Sequence, residues 1–547
     1  TFGIMTAARK LDTSAIDYQA RLGLSWTPSP YQAAIWHWVE HGKGSLVVEA
    51  VAGSGKSTTI KHAARLLGTG GLFLAFNKSI ASELARELPT GMVASTIHSH
   101  GYAAVLKGIK LKNRRPDGGK YRAMARAVQQ DAKRGQIFGR ALPQAAAQQI
   151  DRQPRSWPQD EILRLVDLAR LDLLDPELPE GDFATEINDI AQRHGLDWPQ
   201  AFDGVVPLVV RRLMQQGRDS RDSIDFTDMV WLPHVLGLAP KRYGWIFVDE
   251  CQDLSRAALA LIQASVKHGG RVLFVGDRRQ AIYAFAGADS DSFQRTLDYC
   301  KDQTLPLSVC YRCPSEALAL AREYCPQIEA RPGAPAGVVR DLKVEDLAEV
   351  LRTGEPVRED EIRDMVLCRT NAPLVSLCFR LIADGIPAQV RGRSIGEGLV
   401  KAAREADVLA GIWERFGMGI DLWAAQMHDA LARKFTDDDR LAEAMDRLGD
   451  QVECLRVIWA RSAAKSLAEL EQAIGDLFSD DRGAVQLSSV HKAKGLEARR
   501  VYILRPDLLP FPRARTPEQI EQERNLVYVA LTRCMAELVF VREGREE

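Results

Sequence analysis

Short, continuous apolar runs recur along the chain in two groups, and each run is bounded by turn-forming residues. The first group comprises 46–48, 72–76, 245–248 and 272–275, and the second comprises 364–368, 485–488, 501–504 and 538–541. Uninterrupted apolar strands that alternate with helical stretches are typical of parallel sheets covered on both faces. The pattern therefore predicts an α/β fold with two parallel-sheet domains.

Two long segments with helical patterning and few strand signals interrupt these groups. One spans residues 101–221 and the other spans residues 396–482. The predicted first domain therefore combines residues 1–100 with 222–297, and the second combines 298–395 with 483–547. Each domain is expected to carry one mainly helical insertion.

Composition places the chain among ordinary cytoplasmic proteins. Its 547 residues are 46% hydrophobic and 27% charged, which fits a soluble globular protein of several domains. No apolar run reaches membrane-spanning length and the first residues lack signal-peptide character, so no membrane partner is expected. The nine cysteines are dilute and odd in number, which favours a reducing cytoplasm over a disulfide framework.

Positive charge is concentrated in one part of the chain. The formal net charge is only −1, but residues 107–155 carry 13 Lys or Arg, Lys120 among them, against three acids, a local net charge of +10. A solvated helical surface is one interpretation of this basic segment. A nucleic-acid contact is the other, and the lopsided charge favours it.

A phosphate-binding loop is predicted where the first apolar run ends. Residues 50–57 read Ala-Val-Ala-Gly-Ser-Gly-Lys-Ser and precede a helix-compatible stretch. Backbone N–H groups of such a turn converge on a β-phosphate, Lys56 can neutralise phosphate oxygens, and the Ser57 hydroxyl can hold Mg²⁺. Ala50 replaces the usual first glycine. A chance glycine turn is the alternative, but the strand before and the helix after favour a nucleoside triphosphate site.

An acidic motif follows the apolar run 245–248. Residues 248–253 read Val-Asp-Glu-Cys-Gln-Asp. Asp249 at the strand end is suited to hold Mg²⁺, and Glu250 can orient and deprotonate an attacking water. An acidic surface loop is the alternative for the motif taken alone.

These two motifs together resemble those of superfamily 1 DNA helicases of the UvrD/Rep type, and further motifs follow in the same order over most of the chain. They are Pro30-Tyr31-Gln32, Leu74 to Lys78, Thr96 to Ser99, Asp225 to Met229, Gly276 to Phe285, Tyr311-Arg312, His491 to Glu497, and Gln522 to Arg533. The Phe76-Asn77-Lys78 version is similar to that of the F-box helicase branch.

The resemblance implies two RecA-like motor domains that use ATP and Mg²⁺, and it implies roles for individual residues. Catalysis would involve Lys56, Glu250, Gln280 as γ-phosphate sensor, Arg312 and Arg533, with Mg²⁺ at Ser57 and Asp249. Nucleotide contacts would be Gln32, Ala50, Gly53, Ser54, Gly55, Lys56, Ser57, Thr58, Tyr311, Arg312, Gly495, Glu497 and Arg533. DNA contacts would be Phe76, Asn77, Thr96, His98, Tyr283, Phe285, Ser489 and His491.

Three positions depart from the family pattern. Phe285 replaces a tryptophan, and Ala286 and Thr58 stand where relatives often have arginine. A second interpretation exists for Cys310 and Cys313, which with Cys300 and Cys325 could form a zinc or iron–sulfur site. Only one CxxC pair is present, and it brackets the expected nucleotide contacts.

The sequence therefore predicts an ATP-dependent single-stranded DNA translocase and helicase, DNA-associated in the cytoplasm or nucleoid. The resemblance implies 3′–5′ movement and partners that are single-stranded DNA and single/double-strand junctions. One alternative is a DNA-stimulated ATPase that remodels protein–DNA complexes, which the short insertion at 396–482 motivates. Another is a nucleotide-gated DNA-binding module, against which the catalytic candidates count.

Overall fold

A computed structural model of the chain describes residues 16–68, 70–75, 77–153, 156–282, 291–353, 362–434, 438–478, 485–514 and 517–543. The chain divides into two compact units. Unit 1 comprises residues 1–50 and 55–307, and unit 2 comprises residues 51–54 and 308–547. Among the described residues, no helix is both long enough and apolar enough to cross a membrane.

Unit 1 contains a six-stranded, wholly parallel sheet. Its strands and those of a small hairpin are β1 (Leu46–Ala50), β2 (Gly71–Ala75), β3 (Val93–Thr96), β4 (Gln136–Ile137), β5 (Arg140–Ala141), β6 (Tyr243–Val248), β7 (Val266–Gly276) and β8 (Thr304–Leu307). The strand order in the sheet is β3-β2-β6-β7-β1-β8, and β4 and β5 form the separate antiparallel pair. The central strands β1, β2 and β6 are mostly buried, and β7 is buried over residues 272–276, as is typical of a parallel sheet with helices on both faces.

The described α-helices of unit 1 are α1 (Tyr18–Leu22), α2 (Pro30–His41), α3 (Lys56–Leu67), α4 (Lys78–Glu87), α5 (Ile97–Gly108), α6 (Lys120–Lys133), α7 (Gln144–Arg152), α8 (Gln159–Leu171), α9 (Glu180–Arg193), α10 (Val206–Asp219), α11 (Asp228–Val235), α12 (Arg256–Ala264) and α13 (Ser292–Tyr299). Helices α6 to α11 and the end of α5 pack around a hydrophobic core that is rich in valine, leucine and isoleucine. This core gives the insertion between β3 and β6 its own apolar interior.

Unit 2 contains a second six-stranded parallel sheet. The strands of the unit are β9 (Val309–Cys310), β10 (Glu329–Ala330), β11 (Val338–Lys343), β12 (Ile362–Cys368), β13 (Ala388–Val390), β14 (Val485–Ser489), β15 (Ala498–Leu504) and β16 (Cys534–Arg542). The large sheet has the order β11-β16-β15-β12-β14-β13, and β9 pairs with β10.

The described α-helices of unit 2 are α14 (Ser315–Ala321), α15 (Leu347–Arg352), α16 (Ala372–Ala383), α17 (Arg393–Ala410), α18 (Phe416–Lys434), α19 (Asp438–Arg461), α20 (Leu467–Leu477) and α21 (Pro517–Leu531). Helices α17 to α20 lie between β13 and β14 and share one hydrophobic core with α16 and the sheet. The predicted α/β class with two parallel-sheet, RecA-like domains is confirmed.

A cluster of buried charges joins the basic segment to helix α11, and we call it the buried aspartate cluster. Lys120 Nζ lies 2.6 Å from Asp228 Oδ2, and Arg170 donates to Asp228 at 2.7 Å and to Asp225 at 2.8 Å. Arg170 is fully buried and stacks over the Tyr121 ring at 3.8 Å. Because Lys120 is only 3% exposed and paired with Asp228, its share of the basic segment's charge is neutralised internally and does not reach the protein surface.

Backbone hydrogen bonds also connect the basic segment to the stretch of chain that precedes helix α11. The N–H groups of Lys112 and Asn113 donate to the carbonyls of Arg221 and Asp222 at 2.9 and 2.8 Å. Lys112 and Asp222 further form an exposed ion pair of 2.7 Å. Lys110, Arg114 and Arg115, in the same stretch, are exposed and contribute to the outward-facing charge of the basic segment.

Candidate nucleotide and DNA site

The phosphate loop starts at the C-terminal end of β1 and leads into the N-terminus of α3. Ala50 ends the strand and is buried, while Gly55 occupies the N-cap of α3 with φ +76°, a conformation that favours glycine. No side chain caps the N-terminus of α3 among the described residues. Its backbone N–H groups therefore suit an anion, as a helix N-terminus generally does.

The charged side chains expected at the phosphates lie together in unit 1. Lys56 Nζ is 3.3 Å from Glu250 Oε1, and the Ser57 hydroxyl donates to Asp249 Oδ2 at 3.2 Å. Burial opposes the charge of Lys56, but Glu250, Asp277 and Asp249 outweigh burial and raise its pKa. Lys56 is thus a cation held among carboxylates.

Glu250 follows Asp249 in a left-handed backbone conformation, with φ +54° and ψ +45°. Non-glycine residues adopt this conformation at a cost, and such residues cluster at functional sites. The Gln252 amide donates to the second Glu250 carboxylate oxygen. Glu250, the candidate catalytic base, is therefore contacted by Lys56 through one carboxylate oxygen and by Gln252 through the other.

Gln252 also joins this carboxylate to the segment that follows β7. Its Oε1 accepts the backbone N–H of Asp277 at 3.1 Å, and Asp277 Oδ2 accepts from Gln280 Nε2 at 2.6 Å. Gln280 is 4% exposed, and burial raises the pKa of Asp277. The predicted base and the predicted γ-phosphate sensor thus belong to one hydrogen-bonded chain.

Gln32 lies beside the phosphate loop, in the first turn of α2. Its backbone N–H donates to Ser29 Oγ at 3.2 Å, and its Oε1 accepts the backbone N–H of Ser29 at 2.9 Å, a reciprocal capping box. Its Nε2 donates to Thr59 Oγ1 at 3.3 Å. Thr58, also expected at the nucleotide, is exposed on α3.

Residues 51–54 of the loop belong to unit 2. The backbone N–H of Ala52 donates to the Tyr528 hydroxyl at 2.8 Å, and the carbonyl of Gly53 accepts from the N–H of Tyr311 at 2.8 Å. A Cβ at Gly53 would stand 2.7 Å from Arg312 Cβ, so this position requires glycine. The Ser54 hydroxyl is buried without a hydrogen-bond partner among the described residues, as expected of a group that a ligand would satisfy.

The two predicted arginines of unit 2 meet at the end of helix α21. Arg312 Nε is 2.5 Å from Glu497 Oε2, and Arg312 Nη1 donates to the carbonyl of Thr532 at 3.3 Å. Arg533 is 1% exposed and donates to the carbonyls of Val529 at 2.9 Å and Leu496 at 3.1 Å. Arg533 is therefore engaged inside unit 2, whereas Glu497 keeps half of its side chain exposed.

Asn77 and Thr96 are helix N-caps at neighbouring strand ends. The Asn77 carboxamide accepts the N–H of Ile80 at 2.9 Å, and the Thr96 hydroxyl accepts the N–H of Ser99 at 3.1 Å. Because β2 and β3 pair in parallel, the two helix N-termini lie at the same edge of the sheet. Two positive helix ends and the exposed His98 suit phosphate contacts. Phe76, Tyr283 and Phe285 lie outside the described residues.

In unit 2, the expected DNA contacts follow strand β14. Ser489 is 7% exposed, and its carbonyl accepts the N–H groups of Lys492 and Ala493 at 3.0 and 3.1 Å. His491 is half-buried, and burial together with Arg369 and Arg447 lowers its pKa to about 3. Gly495 is exposed, with φ +84°.

All nine cysteines are free and buried thiols. In unit 2, the N–H of Cys313 donates to Cys310 Sγ at 3.4 Å, and Cys313 Sγ donates to the Thr532 carbonyl at 3.5 Å. No group of three or more His, Cys, Asp or Glu is arranged to hold a metal ion in the part of the chain that the structure describes. The pair therefore packs behind Arg312 as neutral thiols.

Three functional candidates are absent from the predicted set. Gln252 and Thr59 lie inside or beside recognised motifs, but hydrogen bonding to Glu250 and Gln32 depends on the fold and has no local signal. Phe226, next to the half-buried Asp225, has 62% of its surface exposed, which is unusual for a large aromatic. Its place in the Asp225-to-Met229 motif was a usable signal.

Comparisons with known proteins identify the family that the chain matches. The family models described as the UvrD/REP helicase N-terminal domain and the UvrD-like helicase C-terminal domain match residues 31–301 and 440–543, together more than half of the chain. ATP-dependent DNA helicase UvrD1 of Mycobacterium tuberculosis is 23% identical over 92% of this chain and 81% of that protein.

Two further relatives are matched over smaller shares. DNA helicase II of Salmonella typhimurium is 23% identical over 60% of this chain and 61% of its own length, less than two thirds of that protein. F-box DNA helicase protein 1 of Schizosaccharomyces pombe is 24% identical over 54% of this chain and 34% of its own length. The resemblance inferred from the motifs is confirmed: the chain belongs to the UvrD/Rep family of helicases.

Proposed function

We propose that the chain is an ATP-dependent DNA helicase that moves 3′–5′ along single-stranded DNA and opens the duplex at a single/double-strand junction. The observation that carries the proposal is the pairing of Lys56 with Glu250 and of Ser57 with Asp249, at 3.3 and 3.2 Å. Phosphoryl transfer to water requires a site that holds the triphosphate with a cation, oxygen ligands for Mg²⁺ and a general base. Lys56, the pair Ser57 and Asp249, and Glu250 are suited to these roles.

The residues divide the work as follows. The N–H groups at the start of α3 and Lys56 hold the β- and γ-phosphates, while the Ser57 hydroxyl and Asp249 hold Mg²⁺. Held by these two side chains, Mg²⁺ would supply positive charge that offsets the charge of the phosphates. Glu250 orients a water and takes its proton. Gln280, whose amide is held by Asp277 at 2.6 Å, senses the terminal phosphate.

The proposed DNA track uses N-capped helix ends and aromatic rings. The N-termini of α4 and α5 would contact phosphates, and the exposed Phe226 ring offers a base-stacking surface close to Asp225. Stacking is sequence-tolerant because every base has a π-face. Such contacts suit a protein that works anywhere on cellular DNA, and we place it with the nucleoid in the cytoplasm.

The test combines ATP hydrolysis and strand separation. We expect single-stranded DNA to stimulate Mg²⁺-dependent hydrolysis, and the Glu250→Gln variant to bind ATP but hydrolyse it at least 10²-fold more slowly, because an amide cannot accept the proton. A duplex with a 3′ tail should be opened and one with a 5′ tail should not.

Several outcomes would contradict the proposal. Hydrolysis by Glu250→Gln at the parent rate would refute the assigned base. DNA binding without any hydrolysis would indicate a nucleotide-gated binding module. Hydrolysis without strand separation on either substrate would indicate a motor that remodels protein–DNA complexes.

A further inference from the structure

We infer that Thr59 is a specificity-determining residue, whose hydroxyl fixes the orientation of the Gln32 side-chain amide and so favours ATP over a nucleotide with a carbonyl at position 6 of the base. The inference rests on the proposed use of a nucleoside triphosphate and on the proposed contact of the Gln32 amide with its base. It concerns only which base the chain selects.

Thr59 lies on α3, one turn after Gly55, and is fully buried. Its hydroxyl donates to the carbonyl of Gly55 at 2.9 Å, and its backbone N–H donates to the same carbonyl at 2.8 Å. A hydroxyl has a single proton to donate. With that proton given to Gly55, Thr59 Oγ1 can only accept a hydrogen bond from any other group.

Gln32 supplies that second group. Its Nε2 donates to Thr59 Oγ1 at 3.3 Å, and its Oε1 accepts the backbone N–H of Ser29 at 2.9 Å. A backbone N–H can only donate. The Ser29 N–H, which can only donate, therefore lies next to the amide oxygen, and Thr59 Oγ1, which can only accept, lies next to the amide nitrogen. Both neighbours oppose a 180° rotation of the Gln32 amide.

The orientation of the amide determines which base it can match. Adenine presents an amino donor and the N7 acceptor, which pair with the oxygen and nitrogen of one glutamine amide. Guanine and hypoxanthine present a carbonyl and N7, both acceptors, so the amide oxygen would face a carbonyl. A rotated amide would lose both contacts with adenine, whereas with hypoxanthine one contact is favourable and one repulsive in either orientation. Thr59 therefore maintains the preference for adenine, because it would have to release Gly55 in order to donate to the rotated amide.

A purely structural role for Thr59 is the competing explanation, because threonine commonly bonds to the carbonyl four residues earlier in a helix. Thr296 provides a matched control for it. Thr296 is also fully buried in unit 1, and its hydroxyl donates to the carbonyl of Ser292 at 3.0 Å. Replacing Thr296 removes the same kind of bond far along the chain from the loop.

The experiment compares the full chain with Thr59→Val, Thr59→Ser and Thr296→Val. Valine keeps the shape and removes the acceptor, whereas serine keeps the hydroxyl. The measured quantity is the kcat/KM ratio of ATP to inosine triphosphate (ITP), which carries a carbonyl in place of the amino group. We expect Thr59→Val to lower the ratio about fivefold, the effect of one lost hydrogen bond, while Thr59→Ser and Thr296→Val keep the parent ratio.

A binding measurement separates this inference from the proposed function. Competition of ATP and ITP against a fluorescent ATP analogue gives the ratio of dissociation constants even if the chain hydrolyses neither nucleotide. An absence of hydrolysis would therefore refute the proposed function, and the competition would still decide the role of Thr59.

Three results would overturn the inference. The first is an unchanged ratio in Thr59→Val together with a melting temperature close to that of Thr296→Val, which would leave Thr59 only a packing role. The second is a parent chain that binds ATP and ITP equally well. The third concerns Thr59→Ala, which replaces Thr59→Val if the valine variant does not fold. An unchanged ratio of ATP to ITP in Thr59→Ala would overturn the inference.

Discussion

The Gln252 side-chain oxygen accepts the backbone N–H of Asp277 at 3.1 Å, which links the acidic loop after β6 to the turn after β7. The nitrogen of the same amide contacts Glu250. One buried side chain thereby sets the distance between the candidate base and the segment that bears Gln280.

Removing this link should slow hydrolysis without abolishing nucleotide binding. We expect Gln252→Ala to lower kcat about 10²-fold with a small change in KM for ATP, because a displaced base acts from a wrong position. Steady-state ATPase assays with single-stranded DNA measure both values. Gln294→Ala, which removes an exposed amide bonded to Asp298 at 2.9 Å, is the control. An equal effect of the two substitutions would contradict the role of Gln252.

The exposed lysine and arginine side chains of the basic segment should determine part of the salt dependence of DNA binding. We expect the triple variant Lys110→Ala, Arg114→Ala, Arg115→Ala to flatten the plot of log K against log salt by about 0.7 per lost phosphate contact on single strands. Fluorescence anisotropy at several salt concentrations gives the slope. A triple variant at the exposed Lys241, Arg242 and Lys267 is the matched control, and identical slopes for both would show the basic segment to be a solvated surface.

Lys120 should behave in the opposite way from its exposed neighbours. Its ammonium group is buried against Asp228 at 2.6 Å, and Lys120→Met removes one of the two cations, Lys120 and Arg170, that neutralise Asp225 and Asp228. We expect a loss of about 3–5 kcal/mol in the free energy of unfolding, measured by urea denaturation. The salt slope of DNA binding, measured on the folded fraction, should not change.

Phe226 should contribute to DNA binding and little to stability. With 62% of its surface exposed, truncation to alanine removes few core contacts. We expect Phe226→Ala to weaken binding of single-stranded DNA about tenfold, within the range measured for one stacked base, and to leave the melting temperature within a few degrees of the parent. Ile382→Ala, at a residue 48% exposed in unit 2, is the control. A large drop in melting temperature with normal DNA affinity would assign Phe226 to packing.

Acid should destabilise unit 1 through His100. Burial and Lys241 lower the pKa of His100 from 6.5 to about 4. Between these values the unfolded chain binds the proton and the folded chain does not, so stability falls as pH decreases from 6.5. We expect a loss of about 1.4 kcal/mol per pH unit from this residue, or about 2 kcal/mol by pH 5. Urea denaturation of the parent and of His100→Asn measures it, and parallel pH profiles would contradict the assignment.

The sequence predicted the interior of both sheets and missed their edges. The eight apolar runs are the four central strands of each sheet, with Phe76 outside the described residues. The missed strands of the two six-stranded sheets, β3, β8, β11 and β13, are the four edges of those sheets. An edge strand needs a weaker apolar signal because it pairs on one side only, and β8 even contains Pro306, which an edge tolerates.

The candidate site divides in the same way. Asp249 and Glu250 directly follow β6, and Lys56 and Ser57 end the loop after β1, so their convergence could be predicted from the local sequence. The burial of Lys120 could not, because its partner Asp228 is more than a hundred residues away. A net charge summed from the sequence counts every lysine as exposed, whereas the ion pair with Asp228 buries the charge of Lys120.

The buried aspartate cluster has a consequence for how this protein can be recombined. Arg170 and Lys120 lie in the insertion, while Asp225 and Asp228 lie on the chain that leads into β6, and neither pair is neutral without the other. A chimera that receives its insertion from a relative would bury unmatched carboxylates unless the partner residues are transferred with it. We therefore expect that the insertion and the segment with Asp225 and Asp228 can be exchanged between relatives only together, as one continuous fragment of residues 107–228.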